Sequence, residues 1–87
     1  MIHFILGVHV TDRLKEAAQV QGLLTEYGQH IKTRLGLHEI DPAGMSPQGL
    51  LVLELVGDEA SCQALAGKLG AIPGIEVQQM VFRHHPA

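Results

Sequence analysis

Apolar residues alternate with other residue types at the start of the chain. Positions 2, 4, 6, 8 and 10 are apolar, and His3 and His9 stand between them. Period-two alternation with β-branched and aromatic residues predicts a strand over Ile2–Val10. Thr11 and Asp12 follow at once, and such residues commonly cap the first turn of a helix.

The next segment carries apolar or small residues at steps of three and four, which predicts a helix of about four turns. The expected buried stripe consists of Leu14, Ala17, Ala18, Gln21, Leu24 and Tyr27. A second strand is then expected over 30–38, with one face formed by Ile31, Thr33, Leu35 and Leu37. Two prolines and two glycines in 41–49 are typical of a long hairpin loop.

The second half of the chain repeats the strand, helix and strand order. Leu50–Val56 is apolar except for Glu54, and such a run suits a central strand covered on both faces. Asp58 is the expected cap of a second helix, and Pro73-Gly74 is the expected turn into a last strand. The stripe predicted to be buried on that helix consists of Cys62, Leu65, Ala66, Leu69 and Ile72.

The predicted order is therefore β-α-β-β-α-β, an α+β chain of the ferredoxin-like class. Right-handed crossovers give one antiparallel sheet in the order 4-1-3-2, with both helices on one face. We expect a single domain over 1–83 and a polar tail over 84–87. The other sheet face carries Ile5 and part of the 50–56 run, so we expect a homo-oligomer, dimer or tetramer, that assembles through the sheet.

Composition narrows the function classes. The 87 residues are 46% hydrophobic with a net charge of −3, which argues against direct nucleic-acid binding and against a disordered chain. A single cysteine, Cys62, excludes a disulfide framework, and its place on the apolar stripe predicts a buried small side chain. No apolar run is long enough for a membrane span and no signal peptide is recognisable, so we expect a cytoplasmic protein.

One block of sequence carries a family resemblance. Arg34-Leu35-Gly36, Leu51-Val52-Leu53 and the stretch from Leu65 to Val77, with its Leu-Ala-Gly-Lys-Leu-Gly-Ala-Ile-Pro-Gly-Ile core, resemble a family of short bacterial proteins. These are described as regulators of the iron-only hydrogenase system, and they are ACT-like proteins related to the C-terminal domain of the nickel-responsive regulator. The resemblance covers nearly the whole chain and implies a βαββαβ fold, a homo-oligomer and a regulatory or effector-sensing role.

Six histidines make metal binding the alternative hypothesis. In the related nickel regulator, a His-x-His pair, a following Cys and a histidine from another subunit form the site. Here His38 matches one histidine, Gly36 stands at the other position, and 41–49 holds no Cys. His9 and His38 remain the candidate metal ligands. They sit two strands apart, about 10 Å, which is too far to share one metal within a subunit, so the site would form across subunits.

Two further features complete the candidate sites. In ACT-like domains the turn after the first strand often contacts small ligands, so Val10, Thr11 and Asp12 are the candidate effector-binding residues, although helix capping alone would explain Thr11 and Asp12. Lys32 and Arg34 predict either an anion-binding strip or, more commonly, a solvated edge that discourages strand pairing.

Three functional classes are compatible with these patterns. A regulatory oligomer that senses a small molecule comes first, and a metal-sensing or metal-handling protein of the same fold comes second. A small dimeric ferredoxin-like enzyme comes third, because such enzymes need a deep pocket and this chain has only two Phe, one Tyr and no Trp to line one. We therefore predict no catalytic residues and no cofactor.

Overall fold

The fold was analysed in a computed structural model, which describes residues 2–11, 13–38 and 49–83. The predicted element order is confirmed. The elements are β1 (Ile2–Val10), α1 (Arg13–Glu26), a 3₁₀ turn (Gly28–His30), β2 (Ile31–His38), β3 (Gly49–Leu55), α2 (Glu59–Gly70) and β4 (Ile75–Arg83). Neither helix has the length and apolar character needed to cross a membrane.

The four strands form one antiparallel sheet in the order β2-β3-β1-β4. This is the predicted 4-1-3-2 order, and it places β2 and β4 at the two edges. One face of β1, formed by Phe4, Leu6, Val8 and Val10, is buried together with residues from both helices. The helices therefore cover a single face, which we call the helix face, and the opposite side is the open face.

The second helix forms as its sequence predicts. The carboxylate of Asp58 accepts a hydrogen bond from the Ser61 backbone N–H at 2.8 Å, which caps the first turn. The expected stripe is buried over its whole length. Its residues are Cys62, Leu65, Ala66, Leu69 and Ile72.

The predicted stripe of the first helix is right at its C-terminal end and wrong at its centre. The Leu14 side chain lies outside the described residues, and Leu24 is buried and Tyr27 packs against the core, as predicted. Ala17, Ala18 and Gln21, however, are exposed, and Glu16 and Val20 are buried in their place. The two sets differ by a rotation of the helix about its axis. In the observed orientation the branched Val20 side chain is buried beside Leu24, whereas Ala17, Ala18 and Gln21 would bury less apolar surface. The same orientation carries the Glu16 carboxylate into the protein.

The second strand also departs from its predicted pattern. Its pairing with β3 shifts register between Ile31 and Thr33, which is a β-bulge at Lys32. Ile31 packs against the core, but the bulge puts Leu35 out of phase with it, and Leu35 is 52% exposed. His30, expected in the strand, lies in the 3₁₀ turn before it.

The open face of the single chain remains accessible. Leu50 is 39% exposed, so within one chain β3 is covered on its helix face only, not on both faces as its apolar run predicts. Met80 and Phe82 on β4 are 55% and 50% exposed. These apolar side chains leave part of the open face of the single chain uncovered.

Candidate functional site

The turn that follows β1 is joined to the turn that precedes β4. The Gly74 carbonyl oxygen accepts a hydrogen bond from the Thr11 backbone N–H at 3.2 Å and another from the Thr11 hydroxyl at 2.6 Å. The contact lies directly beyond the last β1–β4 pair, Val10 with Ile75. Thr11 thus connects parts of the chain that lie 63 residues apart.

A buried carboxylate lies beside this contact. Glu16 in the first turn of α1 is 5% exposed, and its Oε1 atom is 3.4 Å from the Thr11 hydroxyl oxygen. Among the residues that the structure describes, it is the one charged side chain in the buried set. Because a buried carboxylate is costly without hydrogen-bonding partners, this position depends on the polar groups around it.

Gly74 fits beside Thr11 and Glu16 because it has no side chain. Its φ of +86° lies in the left-handed region, and a Cβ atom there would overlap the Glu16 carboxylate and lie 2.8 Å from the Thr11 hydroxyl oxygen. We call Thr11, Glu16 and Gly74 the turn junction. It is compact, polar and located where the predicted effector site begins.

The predicted effector residues differ in accessibility. Val10 is 5% exposed and its side chain belongs to the core, so it can offer a ligand only its backbone. Thr11 is exposed, and Asp12 lies outside the described residues. Sequence reasoning included Thr11 but missed Glu16 and Gly74 as its neighbours, since no local pattern signals a contact over 63 residues.

The candidate metal ligands lie on different strands. His9 on β1 pairs with Leu50 of β3 and Glu76 of β4. The backbone of His38 on β2 pairs with Gly49, so β3 separates the two histidines as predicted, and the His38 side chain is outside the described residues. Within 2–11, 13–38 and 49–83, no three His, Cys, Asp or Glu side chains converge as a metal site would require.

His9 borders a depression on the open face. Its volume is about 310 Å³, and its lining residues are Gly7, His9, Leu50, Glu76 and Gln78. A neighbouring depression of about 290 Å³ shares Gly7 and Gln78 with it. Both lie above Gly7, where β1 has no side chain to fill the surface.

Two other residues with reactive side chains have structural contacts. The His30 Nδ1 atom is 3.0 Å from the Val56 carbonyl oxygen, and the Val56 N–H donates to the His30 carbonyl at 2.7 Å. Cys62 is fully buried, as predicted. Burial raises the pKa of the Cys62 thiol, which keeps it protonated and unsuited to nucleophilic chemistry.

Comparison with solved structures confirms the ferredoxin-like fold. A formyltetrahydrofolate deformylase from Pseudomonas putida KT2440 superposes with a TM-score of 0.60 at 20% identity, over 97% of this chain and 30% of that one. An unknown protein from Galdieria sulphuraria gives 0.65 at 11% identity, over 99% and 48%. At these identities the likeness shows the fold alone. No curated protein matches the chain.

One structure and one family model match more specifically. The uncharacterized protein TM1266 from Thermotoga maritima superposes with a TM-score of 0.82 at 30% identity, over 95% of this chain and all of that one. Residues 3–79 match the TM1266-like family model, described as "Iron-only hydrogenase system regulator, putative". The match spans both halves of the fold and the turn junction. The chain therefore belongs to the TM1266-like family.

Proposed function

We propose that the chain is a non-enzymatic regulator of an iron-only hydrogenase system, which acts in the cytoplasm as a homo-oligomer and senses a small molecule. The family match over residues 3–79 supports the hydrogenase part of this proposal. Leu35, Met80 and Phe82, each at least 50% exposed in the single chain, support assembly through the sheet, because exposed apolar clusters commonly mark protein interfaces.

The observation that carries the sensing role is the turn junction. Thr11 is exposed, yet its hydroxyl holds the turn between α2 and β4 through the Gly74 carbonyl. A ligand that binds at Thr11 would strengthen or replace that hydrogen bond and so reposition the segment that begins β4. A ligand can regulate a protein only if it binds one of two conformations more tightly than the other. The Thr11–Gly74 hydrogen bond would connect a ligand bound at Thr11 to the position of β4.

A non-enzymatic role is supported by the shape of the surface. The two depressions above Gly7 are about 290 and 310 Å³ and are open to solvent, whereas enzyme pockets for small molecules are enclosed clefts of about 300–1,000 Å³. Cys62, the sole cysteine of the sequence, is buried away from these depressions. Neither the open depressions nor the buried cysteine favours a catalytic role for the open face.

The sensing role is tested by ligand retention and thermal shift. Native mass spectrometry of freshly purified protein should show a retained small molecule, and that molecule should raise the Tm of the stripped protein. In Thr11→Ser, which keeps the hydroxyl, we expect the Tm increase to persist. In Thr11→Val, which removes it, we expect the increase to disappear. An equal ligand response in both variants would contradict a site at Thr11.

The regulatory role needs a separate measurement. The chain would be co-expressed with an iron-only hydrogenase and its maturation proteins, and hydrogen evolution and hydrogenase transcript levels would be compared with and without it. We expect one of these to change, and Thr11→Val should abolish the change while Thr11→Ser retains it. No effect on either quantity would contradict the assignment to this system.

A further inference from the structure

We infer that the free edge of β4 pairs in antiparallel orientation with β4 of a second copy, which joins two sheets into one of eight strands. This inference rests on the homo-oligomer proposed above and names the surface that forms it. A strand edge exposes a row of backbone N–H and C=O groups that another strand can pair with. The sheet has two such edges, and they differ sharply in residue type and regularity.

The β2 edge has features that discourage strand pairing. Its register shifts at the bulge between Ile31 and Thr33, and a bulge interrupts the even spacing of backbone groups. Lys32 and Arg34 are both exposed on this strand, and charged side chains at an edge oppose association. This agrees with the solvated-edge interpretation of these two residues.

The β4 edge has no bulge, and its charged residues stand only near its two ends. It pairs with β1 without a register shift from Arg83 opposite Ile2 to Ile75 opposite Val10. The sequence from Val77 to Phe82 contains no charged residue, no proline and no glycine. A straight edge strand with an uncharged central stretch is a favourable template for pairing, and here that stretch covers six of the nine residues of β4.

The charges at the two ends of β4 favour a second copy of the same strand. Glu76 lies near one end and Arg83 at the other. Antiparallel pairing of β4 with itself sets the end that carries Glu76, on the open face, beside the end of the partner that carries Arg83, on the helix face. Parallel pairing would instead place like charges side by side on the same face. The arrangement is isologous, so it consumes both free β4 edges and closes at a dimer across this edge.

The register follows from the length of the strand. Gln79 is the central residue of Ile75–Arg83, so self-pairing about Gln79 uses all nine residues. It sets Val77 opposite Val81 of the partner subunit on the helix face, and β-branched cross-strand pairs stabilise sheets. On the open face, the exposed Met80 gains a neighbour from the partner. A shift by one residue would place side chains on opposite faces of the joined sheet.

Side-chain contacts within the chain leave this edge accessible. The Gln79 amide makes two reciprocal hydrogen bonds with Gln63 of α2, at 3.0 and 3.1 Å. Arg83 forms an ion pair with Glu59 of α2 at 2.6 Å. Both side chains therefore turn toward α2, and the backbone beside them can meet another strand without first losing a bulky neighbour.

Disulfide cross-linking of the full chain tests the register. Directly opposed antiparallel residues have Cα atoms about 4.5–5.5 Å apart, which suits a disulfide, so Gln79→Cys should give a linked dimer under mild oxidation. Val81→Cys is the matched control, because it lies on the same strand and face but faces Val77 of the partner subunit. Leu35→Cys on β2 is the second control. The native Cys62 is buried.

The outcomes separate this inference from the proposed oligomer. We expect Gln79→Cys to cross-link at least about tenfold faster than either control, a difference of about 1.4 kcal/mol in activation free energy. If light scattering gives a strict monomer for the native chain, the oligomer itself is refuted. If the native chain is an oligomer but Gln79→Cys links no faster than Val81→Cys or Leu35→Cys, assembly uses another surface and the β4 inference is overturned.

Discussion

Replacement of Gly74 by alanine should destabilise the protein through two separate effects. Gly74 has a φ of +86°, and the left-handed conformation costs a residue with a Cβ atom about 1–2 kcal/mol. The new Cβ would also overlap the carboxylate of Glu16. Glu16 must then move, and the loss of a buried hydrogen-bonding arrangement costs about 1–3 kcal/mol.

The total expected loss is about 2–5 kcal/mol in the free energy of unfolding. For a domain of this size, each kcal/mol lowers Tm by about 4–8 °C, so the Tm of Gly74→Ala should fall by about 8 °C or more. Urea denaturation followed by circular dichroism would measure the free energy, and a thermal melt would measure Tm. Both should be recorded at one protein concentration, because an oligomer makes stability concentration-dependent.

A matched control and a double-mutant cycle separate the two effects. A Cβ at Gly67 in α2 would meet nothing within 4 Å, so Gly67→Ala should leave stability unchanged or raise it by up to about 1 kcal/mol. In a Glu16→Ala background, Gly74→Ala should cost only the backbone term and the close contact with the Thr11 hydroxyl. The missing overlap with Glu16 gives a coupling of about 1–3 kcal/mol. A coupling near zero would refute the overlap with Glu16, and an unchanged Tm would refute the turn junction.

The helices show why sequence patterns predicted one element well and the other poorly. On α2 the apolar residues form a single stripe, and burying any other face would expose leucines. On α1 the apolar residues are few and are mixed with small and polar ones, so the sequence pattern alone does not decide which face of the helix is buried. The spacing of three and four residues favoured a stripe through Ala17, Ala18 and Gln21, which is not the buried face. Glu16 is buried because Thr11 and Gly74 lie beside it, and Gly74 comes from the far end of the chain.

The edge strand β2 illustrates a second limit of sequence patterns. Alternation predicted one face for Ile31 and Leu35, but the bulge at Lys32 reverses the phase after Ile31. Bulges depend on how a strand fits its neighbour, which alternation within one strand does not reveal. The strand order was predictable because connection handedness restricts the possible topologies. The contrast between the β2 and β4 edges required the observed register.

Further predictions concern the core, the cysteine and the helix cap. Leu65→Ala should lower the free energy of unfolding, measured in urea, by about 2–5 kcal/mol, because Leu65 is fully buried. Leu35→Ala should change it by less than about 1 kcal/mol. Equal losses in the two variants would contradict the assigned core. The Cys62 thiol, whose pKa is raised by burial, should react with a disulfide reagent only as the protein unfolds; fast labelling of native protein would show that it is accessible. The Ser61 backbone N–H lowers the pKa of Asp58 below its ordinary value of 3.8, so the cap contributes stability at neutral pH and loses it as the pH falls through that lowered value. Asp58→Ala should therefore lower Tm at pH 7 but much less near about pH 2, and a Tm difference independent of pH would contradict the carboxylate cap.

Amide hydrogen exchange, followed by NMR at increasing protein concentration, tests the assembly through β4 most directly. Exposed edge amides exchange quickly, and pairing with a second strand protects them. We predict that those amides between Val77 and Phe82 that point away from β1 become protected as the mass measured by light scattering rises to twice the chain mass of 9.4 kDa, while the amides of Lys32 and Arg34 stay unchanged. Protection that develops on β2 instead, or a doubled mass without protection on β4, would contradict the account.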